Sequence, residues 1–163
     1  FNYSLIKKKI KNLKMKDLQN KSLLSDKVAT SASIIAKDKK IRQLVHAFQI
    51  NCAYNPPKKY NGSCLDGRDI CSVILPQADF KFFITASVKT RTMRRFKEYK
   101  KLNKKITYHQ VLKSLKKRDF SDKNRKYGKL KKTRDSILLN SNKDSITSCF
   151  KKIKQIMDKK LKT

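Results

Sequence analysis

Short apolar strand patterns alternate with longer helical patterns through the second half of this chain, and this alternation restricts the possible folds more than any other feature of the sequence. The clearest strand is Phe80–Thr85 (FKFFIT), because of its aromatic run, and two further segments read as strands, Ser63–Leu65 and Ser136–Leu139. Helical patterns follow at Val88–Lys100, from an N-capping Thr107 to about Asp119, and at Ser145–Lys159. Strands that alternate with helices are typical of an α/β fold with a parallel sheet.

The first part of the chain is predicted to be helical. Residues 23–37 and 40–51 have helical patterns, and the lysine-rich residues 1–22 form a short amphipathic helix or an irregular segment. Residues 51–62 contain Pro56-Pro57 and a glycine, so they must form a loop. No domain boundary is visible. We expect a single, partial domain, with a helical part at 1–62 and the core strands and helices at 63–163.

Length and cysteine content exclude several classes of protein. The 163 residues suffice for one domain with a core. No stretch approaches the roughly 18 apolar residues of a membrane span, and no signal peptide is visible. The four cysteines form no C-x-x-C pair and the two histidines do not complete a zinc set, so metal binding by thiolates is not expected. Such scattered thiols are typical of a reduced, cytoplasmic protein.

The net charge of +31 would ordinarily indicate a nucleic-acid-binding protein. However, 35 of the 43 basic residues are lysine, isoleucine and asparagine are also abundant, and the lysines are spread over the whole chain. An A/T-rich genome gives this composition to any protein, so a solvated lysine-rich surface is favoured over a dedicated nucleic-acid surface. The eight arginines are more informative, because lysine cannot reproduce their planar, bidentate fork.

Most of the arginines follow the predicted strands. Arg68 comes after the first strand, and a group after the second strand comprises Arg91, Arg94 and Arg95. Arg118, Asp122 and Arg125 have i, i+4, i+7 spacing, which places them on one helix face. Ligands of α/β folds bind at the carboxyl ends of the strands, and arginines that converge there suit a phosphate clamp. For any one of these arginine-containing segments taken alone, ordinary ion pairing on the protein surface is the alternative to a phosphate-binding role.

One segment imitates a phosphate-binding loop. Gly62 and Gly67 have the G-x-x-x-x-G spacing of a P-loop, but Arg68 stands where lysine belongs and Asp69 where a Ser or Thr hydroxyl should reach Mg²⁺. Two carboxylates, Asp66 and Asp69, would also face the triphosphate. The segment is therefore not expected to bind ATP.

Three motifs in order resemble the bacterial cytidylate kinase family. They are LDGRDICSVILPQADFKFFITAS at 65–87, the Arg94-Arg95 pair, and KRDFSDKNR at 117–125. Upstream, Ser33 and Arg42 have the nine-residue separation of a serine and an arginine in that family. The resemblance covers about residues 23–157. Ser121 and Lys123 depart from it, since relatives often have arginine there.

The resemblance implies a role for each matching residue. Ser33, Arg42 and Asp69 match residues that recognise the cytosine ring. Arg118 and Asp122 match the pair at the pentose, and Arg68 and Arg125 match arginines that hold the monophosphate. The lid-side arginines, which close over the transferring phosphate, are matched by Arg91, Arg94 and Arg95, and the lid is expected at about 94–106. The sequence pattern itself also predicts a mobile arm near Lys100–Ile106.

The resemblance also implies the fold and the activity. The fold is expected to be the three-layer nucleoside-monophosphate-kinase-like α/β fold of the P-loop NTPases, incomplete at the N-terminus. The expected activity is phosphoryl transfer from ATP, bound with Mg²⁺, to CMP or dCMP by a cytoplasmic monomer without membrane or specific nucleic-acid partners. The P-loop has no counterpart here, so this chain alone is expected to be inactive. A non-catalytic basic nucleic-acid-binding protein and a degenerate kinase-like protein remain alternatives.

Overall fold

The computed structural model describes residues 1–13, 17, 20–102 and 105–162. Six helices and two strands are defined among these residues: α1 (Tyr3–Lys11), α2 (Asp26–Ile35), α3 (Lys39–Tyr54), β1 (Phe82–Thr85), α4 (Val88–Lys101), α5 (Tyr108–Asn124), β2 (Ile137–Asn140) and α6 (Ile146–Leu161). A 3-10 turn lies at Lys21–Leu24 and a single π-helical turn at Ile70–Ile74. No helix in the described part of the chain is long and apolar enough to cross a membrane.

The two strands form a parallel pair. Phe82 is opposite Ile137, and the register runs to Thr85 opposite Asn140. Backbone hydrogen bonds of 2.8 Å continue the pairing at both ends, from Ile137 N to the Lys81 carbonyl and from Ser141 N to the Thr85 carbonyl. Parallel strands need a long crossover, which here contains α4 and α5. The predicted α/β class with a parallel sheet is confirmed.

The predicted strand at Ser63–Leu65 is wrong. Residues 63–66 have no regular secondary structure, and Ser63 Oγ instead donates to the Cys52 carbonyl at 2.7 Å. A strand exists only through backbone hydrogen bonds to a neighbouring strand, and in the described part of the chain the only paired strands are β1 and β2. Ser63 and Cys64 are also exposed, so the segment has little apolar surface to anchor it.

Capping side chains stand at the start of several helices. Ser25, Asp38, Ser87 and Ser145 each accept a hydrogen bond from a backbone N–H in the first turn of the helix that follows. At α5, the Thr107 hydroxyl accepts from Gln110 N at 3.2 Å and the Gln110 side chain accepts from Thr107 N at 2.8 Å. This reciprocal pair confirms Thr107 as the N-cap. However, α5 continues beyond Asp119 to Asn124.

The amphipathic pattern near the N-terminus is a helix, α1, which packs against α3. Tyr3 Oη donates to Asp38 at 3.0 Å, and Asp38 also accepts from Ile41 N at 2.9 Å. The hydrogen bond from Ile41 lowers the pKa of Asp38, and the hydrogen bond to Asp38 raises the pKa of Tyr3. Part of the predicted mobile arm, residues 103–104, lies outside the described residues.

The chain divides into two compact units. The first unit comprises residues 1–76 and 118–131, and its buried apolar residues are Ile41, Ile70 and Ile74. The second comprises residues 77–117 and 132–163, contains both strands, and buries Thr92, Tyr99 and Val111 almost completely. The boundary falls within α5, after residue 117.

Candidate functional site

The first unit contains a cavity of about 700 Å³. Its lining includes the apolar residues Ala32, Ile35, Ala36, Ile41, Val45, Val73 and Ile74. The charged and hydroxyl side chains around it include all seven residues that the resemblance assigns to the acceptor nucleotide: Ser33, Arg42, Arg68, Asp69, Arg118, Asp122 and Arg125. A cavity of this size with apolar lining residues and a few convergent polar groups is typical of a small-molecule site.

Arg42 and Asp69 form the inner ion pair of the cavity. An Arg42 Nη2 hydrogen bond to Asp69 Oδ2 joins α3 to the π-helical turn, and Arg42 Nη1 also donates to the Ala36 carbonyl at 3.4 Å. The Asp69 backbone is held as well, because its carbonyl accepts from Val73 N at 2.8 Å. Only 10% of the Asp69 side chain is exposed. Burial of a charge is tolerated when it is paired in this way.

Arg125 connects the two carboxylates of the site. Its Nη2 lies 3.9 Å from Asp69 Oδ1 and its Nη1 lies 3.6 Å from Asp122 Oδ1. Its Nε donates to the Gly128 carbonyl, which a tight turn brings back toward the helix end. Gly128 has φ +60°, and a Cβ there would lie 2.7 Å from Arg42 Cζ, so this close approach requires glycine.

Asp122 forms ion pairs with three arginines. Arg68 Nε donates to Asp122 Oδ2 at 2.7 Å, Arg118 Nε lies 3.8 Å from the same oxygen, and Arg125 is on the other oxygen. Asp122 is 5% exposed, whereas Arg68 and Arg118 are 38% and 43% exposed. The carboxylate therefore holds the guanidinium groups of two partly exposed, outer arginines at the cavity.

The charges of this ion-pair network do not cancel. Four arginines, Arg42, Arg68, Arg118 and Arg125, face two carboxylates, Asp69 and Asp122, which leaves an excess of two positive charges. A phosphate monoester carries about −1.5 to −2 charges at pH 7 and binds arginine through strong, charge-assisted hydrogen bonds. The network thus has the charge and the donors to bind a dianionic phosphate group.

Two features of the cavity in the first unit were not identified from the sequence: a contact between two serines and a lining tyrosine. Ser33 Oγ lies 3.5 Å from Ser121 Oγ, which links α2 to α5 across 88 residues. Tyr127 also lines the cavity. Ser121 is noticeable in the sequence only as a departure from the family, and a single tyrosine after Arg125 carries no local signal.

The arginines of α4 belong to the second unit and are not among the residues that line the cavity. Arg91 Nε donates to the Ala86 carbonyl at 3.0 Å, and Arg95 Nη1 donates to Glu98 at 2.8 Å. Arg94 donates to Ser141 Oγ at 3.2 Å and to the Asp144 carbonyl at 2.9 Å, which ties α4 to the loop after β2. The lid-side role of these arginines stays a prediction.

The chain also matches a known protein family. A family model described as cytidylate kinase matches residues 2–159, nearly the whole chain. The chain belongs to the cytidylate kinase family.

Curated relatives agree with this assignment. Cytidylate kinases of Clostridium botulinum (strain Okra) and Bartonella tribocorum are 39% and 38% identical over 81% and 86% of this chain. A cytidylate kinase of Clostridium tetani is 35% identical over 80% of it. The aligned part covers 58%, 63% and 56% of the length of these three relatives. This chain therefore corresponds to a little over half of each relative. The family assignment also agrees with the predicted α/β kinase fold.

Proposed function

We propose that this chain supplies the acceptor site of an enzyme that transfers the γ-phosphoryl group of ATP to CMP or dCMP, giving ADP and CDP or dCDP. The observation that supports this most is the ion-pair network of Arg42, Arg68, Arg118 and Arg125 with Asp69 and Asp122 around one cavity. It combines two buried carboxylates with a surplus of arginine donors, as a nucleotide with a polar base and an anionic phosphate requires.

Base recognition would fall to the inner ion pair. Cytosine presents an amine where uracil presents a carbonyl, and a carboxylate accepts from the amine. Asp69 Oδ2 is bonded to Arg42, but Oδ1 is 3.9 Å from Arg125 Nη2, which is beyond hydrogen-bond distance. A carboxylate has about four acceptor positions, so Asp69 retains capacity for the amine. Ser33 and Arg42 would complete the ring contacts.

Two arginines of the network would hold the phosphate. Arg68 and Arg125 would supply donors to the acceptor phosphate, and Asp122 with Arg118 would bind the pentose hydroxyls. Positioning and neutralisation of charge provide most of the catalysis in phosphoryl transfer. Arg91, Arg94 and Arg95 are proposed to neutralise the transferring group from the lid side.

The donor side is not provided by the residues described here. The 163-residue sequence contains no G-x-x-x-x-G-K-[ST] motif, and at Gly62–Asp69 the side chains of Arg68 and Asp69 are used in ion pairs. Among the described residues no group of three or more His, Cys, Asp or Glu could hold a metal ion, and Asp69 and Asp122 are paired with arginine. Mg²⁺ is usually bound through substrate phosphates with few protein ligands, so we propose that it arrives with ATP. The four free cysteines suit a reduced cytoplasmic compartment, and we propose a monomer there.

Ligand-dependent stabilisation of the purified 163-residue chain tests the acceptor site. CMP should raise the melting temperature in proportion to the logarithm of its concentration, whereas UMP and AMP at equal concentration should raise it less. Asp122→Ala should abolish the shift, and Asp79→Ala, an exposed carboxylate in the second unit, is the matched control. No preference for CMP would contradict the proposal. With ATP added, no CDP should form above the blank, and clear turnover would show that a phosphate-binding loop is present in disguise.

A further inference from the structure

Tyr127 places an aromatic ring at the cavity beside the inner ion pair. It follows Arg125 by two residues, and among the described residues that line the cavity it is the only Phe, Tyr or Trp. The residue is 37% exposed, so its ring is neither buried in a core nor free in solvent. The Lys126 ammonium lies 5.6 Å from the ring centroid, over one face of the ring.

The backbone around Tyr127 is fixed on both sides. Before it, Arg125 N donates to the Ser121 carbonyl at 3.0 Å, which continues the helical pattern of α5. After it, the Gly128 carbonyl accepts from Arg125 Nε, and Leu130 N donates to the Asp122 carbonyl at 2.8 Å. Consecutive Cα atoms are 3.8 Å apart, and Gly128 packs directly against Arg42 and Asp69. Tyr127 is therefore the chain neighbour of the glycine that packs against the pair proposed to read the base.

We propose that Tyr127 forms the aromatic wall on which the pyrimidine ring of the acceptor nucleotide stacks. This inference rests on the proposed function of the same site. Every base has a π face, so stacking adds affinity for pyrimidines without distinguishing the amine of cytosine from the carbonyl of uracil. Affinity for the ring and choice between bases are thus divided between Tyr127 and Asp69.

A purely structural role for Tyr127 would give a different pattern of nucleotide affinity among variants. If the side chain only filled space, leucine would serve nearly as well and ligand affinity would follow stability. A stacking role depends on the π system, so phenylalanine should preserve it and leucine should not. Base–aromatic stacking is worth enough for Tyr127→Leu to weaken nucleotide binding by roughly 5- to 150-fold, with the lower end expected for a ring that is partly exposed.

The experiment titrates CMP and UMP into the 163-residue chain by calorimetry and follows the H5 and H6 protons of the bound base by NMR. The proteins are wild type, Tyr127→Phe, Tyr127→Leu and the control Tyr54→Leu, which removes an exposed tyrosine that does not line the cavity. We expect Tyr127→Leu to lose affinity for CMP and UMP by the same factor. The two protons should shift upfield on binding to wild type and Tyr127→Phe, but not to Tyr127→Leu.

Two results would overturn the inference in distinguishable ways. If wild type binds CMP but Tyr127→Leu binds it equally well, or if no upfield shift occurs in wild type, the stacking role fails and the proposed acceptor site stands. If wild type binds neither nucleotide, the proposed function fails and the stacking role fails with it. Circular dichroism and urea unfolding of each variant show whether a loss of binding follows from a loss of folding.

Discussion

Replacement of Asp69 by alanine tests the centre of the site most directly. Asp69 is 10% exposed, is bonded to Arg42, and lies 3.9 Å from Arg125, whose side chain is 6% exposed. Alanine leaves Arg42 without its carboxylate and Arg125 with Asp122 as its remaining carboxylate partner. Removal of one member of a buried ion pair typically costs 3–5 kcal/mol because the other charge stays buried. Since Arg42 is 20% exposed, we expect the lower end, about 3 kcal/mol of unfolding free energy.

The same substitution should change base preference. Loss of a charge-assisted hydrogen bond costs about 1.5–3 kcal/mol, so CMP affinity should fall roughly 10- to 150-fold. UMP, which presents a carbonyl toward the carboxylate, should lose much less. The preference for CMP over UMP should therefore narrow together with the loss of stability.

Urea unfolding and calorimetric titration of CMP and UMP measure the two effects separately. Asp66→Ala is the matched control, because it removes an exposed carboxylate three residues earlier in the same DGRD run. Binding is measured at a temperature at which circular dichroism shows the variant folded. Equal losses for CMP and UMP, or stability equal to that of Asp66→Ala, would refute the reasoning that Asp69 both pairs with Arg42 and reads the base.

Three further predictions concern the phosphate-binding arginine Arg125, an ion pair in the second unit and the net positive charge of the chain. Arg125→Ala should weaken CMP and UMP by the same factor while affecting cytidine, which lacks the phosphate, much less; calorimetry with the three ligands measures this, and an effect confined to CMP would contradict it. The Lys81 ammonium, helped by Thr133, lowers the pKa of Asp135 to about 2 from 3.8, so its contribution to stability is present above about pH 4 and is lost as the pH falls toward 2. Asp135→Asn should accordingly be less stable than wild type at pH 6, and the two should converge only as the pH approaches 2 in urea unfolding. A difference that stays constant over this pH range would argue against the ion pair. Binding to duplex DNA should be sequence-independent and largely absent at about 200 mM salt, and salt-resistant binding to one sequence in a filter assay would favour a dedicated nucleic-acid surface.

Local features of the sequence were sufficient to predict most of the secondary structure. The helix-capping residues Thr107 and Ser145 act within one turn of themselves, and the aromatic run at Phe80–Thr85 needs no distant information to favour a strand. The parallel sheet followed from the alternation of elements. The choice of site residues depended on the motifs, and the cavity in the first unit is lined by all seven acceptor-site residues chosen in this way.

Tertiary structure decided which charged groups meet. Arg42 pairs with Asp69 across 27 residues and Arg68 pairs with Asp122 across 54, and no local pattern specifies either partner. The strand expected at Ser63–Leu65 failed for the same reason, because strand formation depends on a neighbour that the local sequence cannot supply. Arg94 and Arg125 are the same residue type, yet Arg94 binds backbone carbonyls of the loop after β2 while Arg125 joins two carboxylates. The sequence shows where an arginine stands and therefore which kinds of acceptor its guanidinium group can bind. Only the packing of distant segments determines which acceptor lies close enough to be bound.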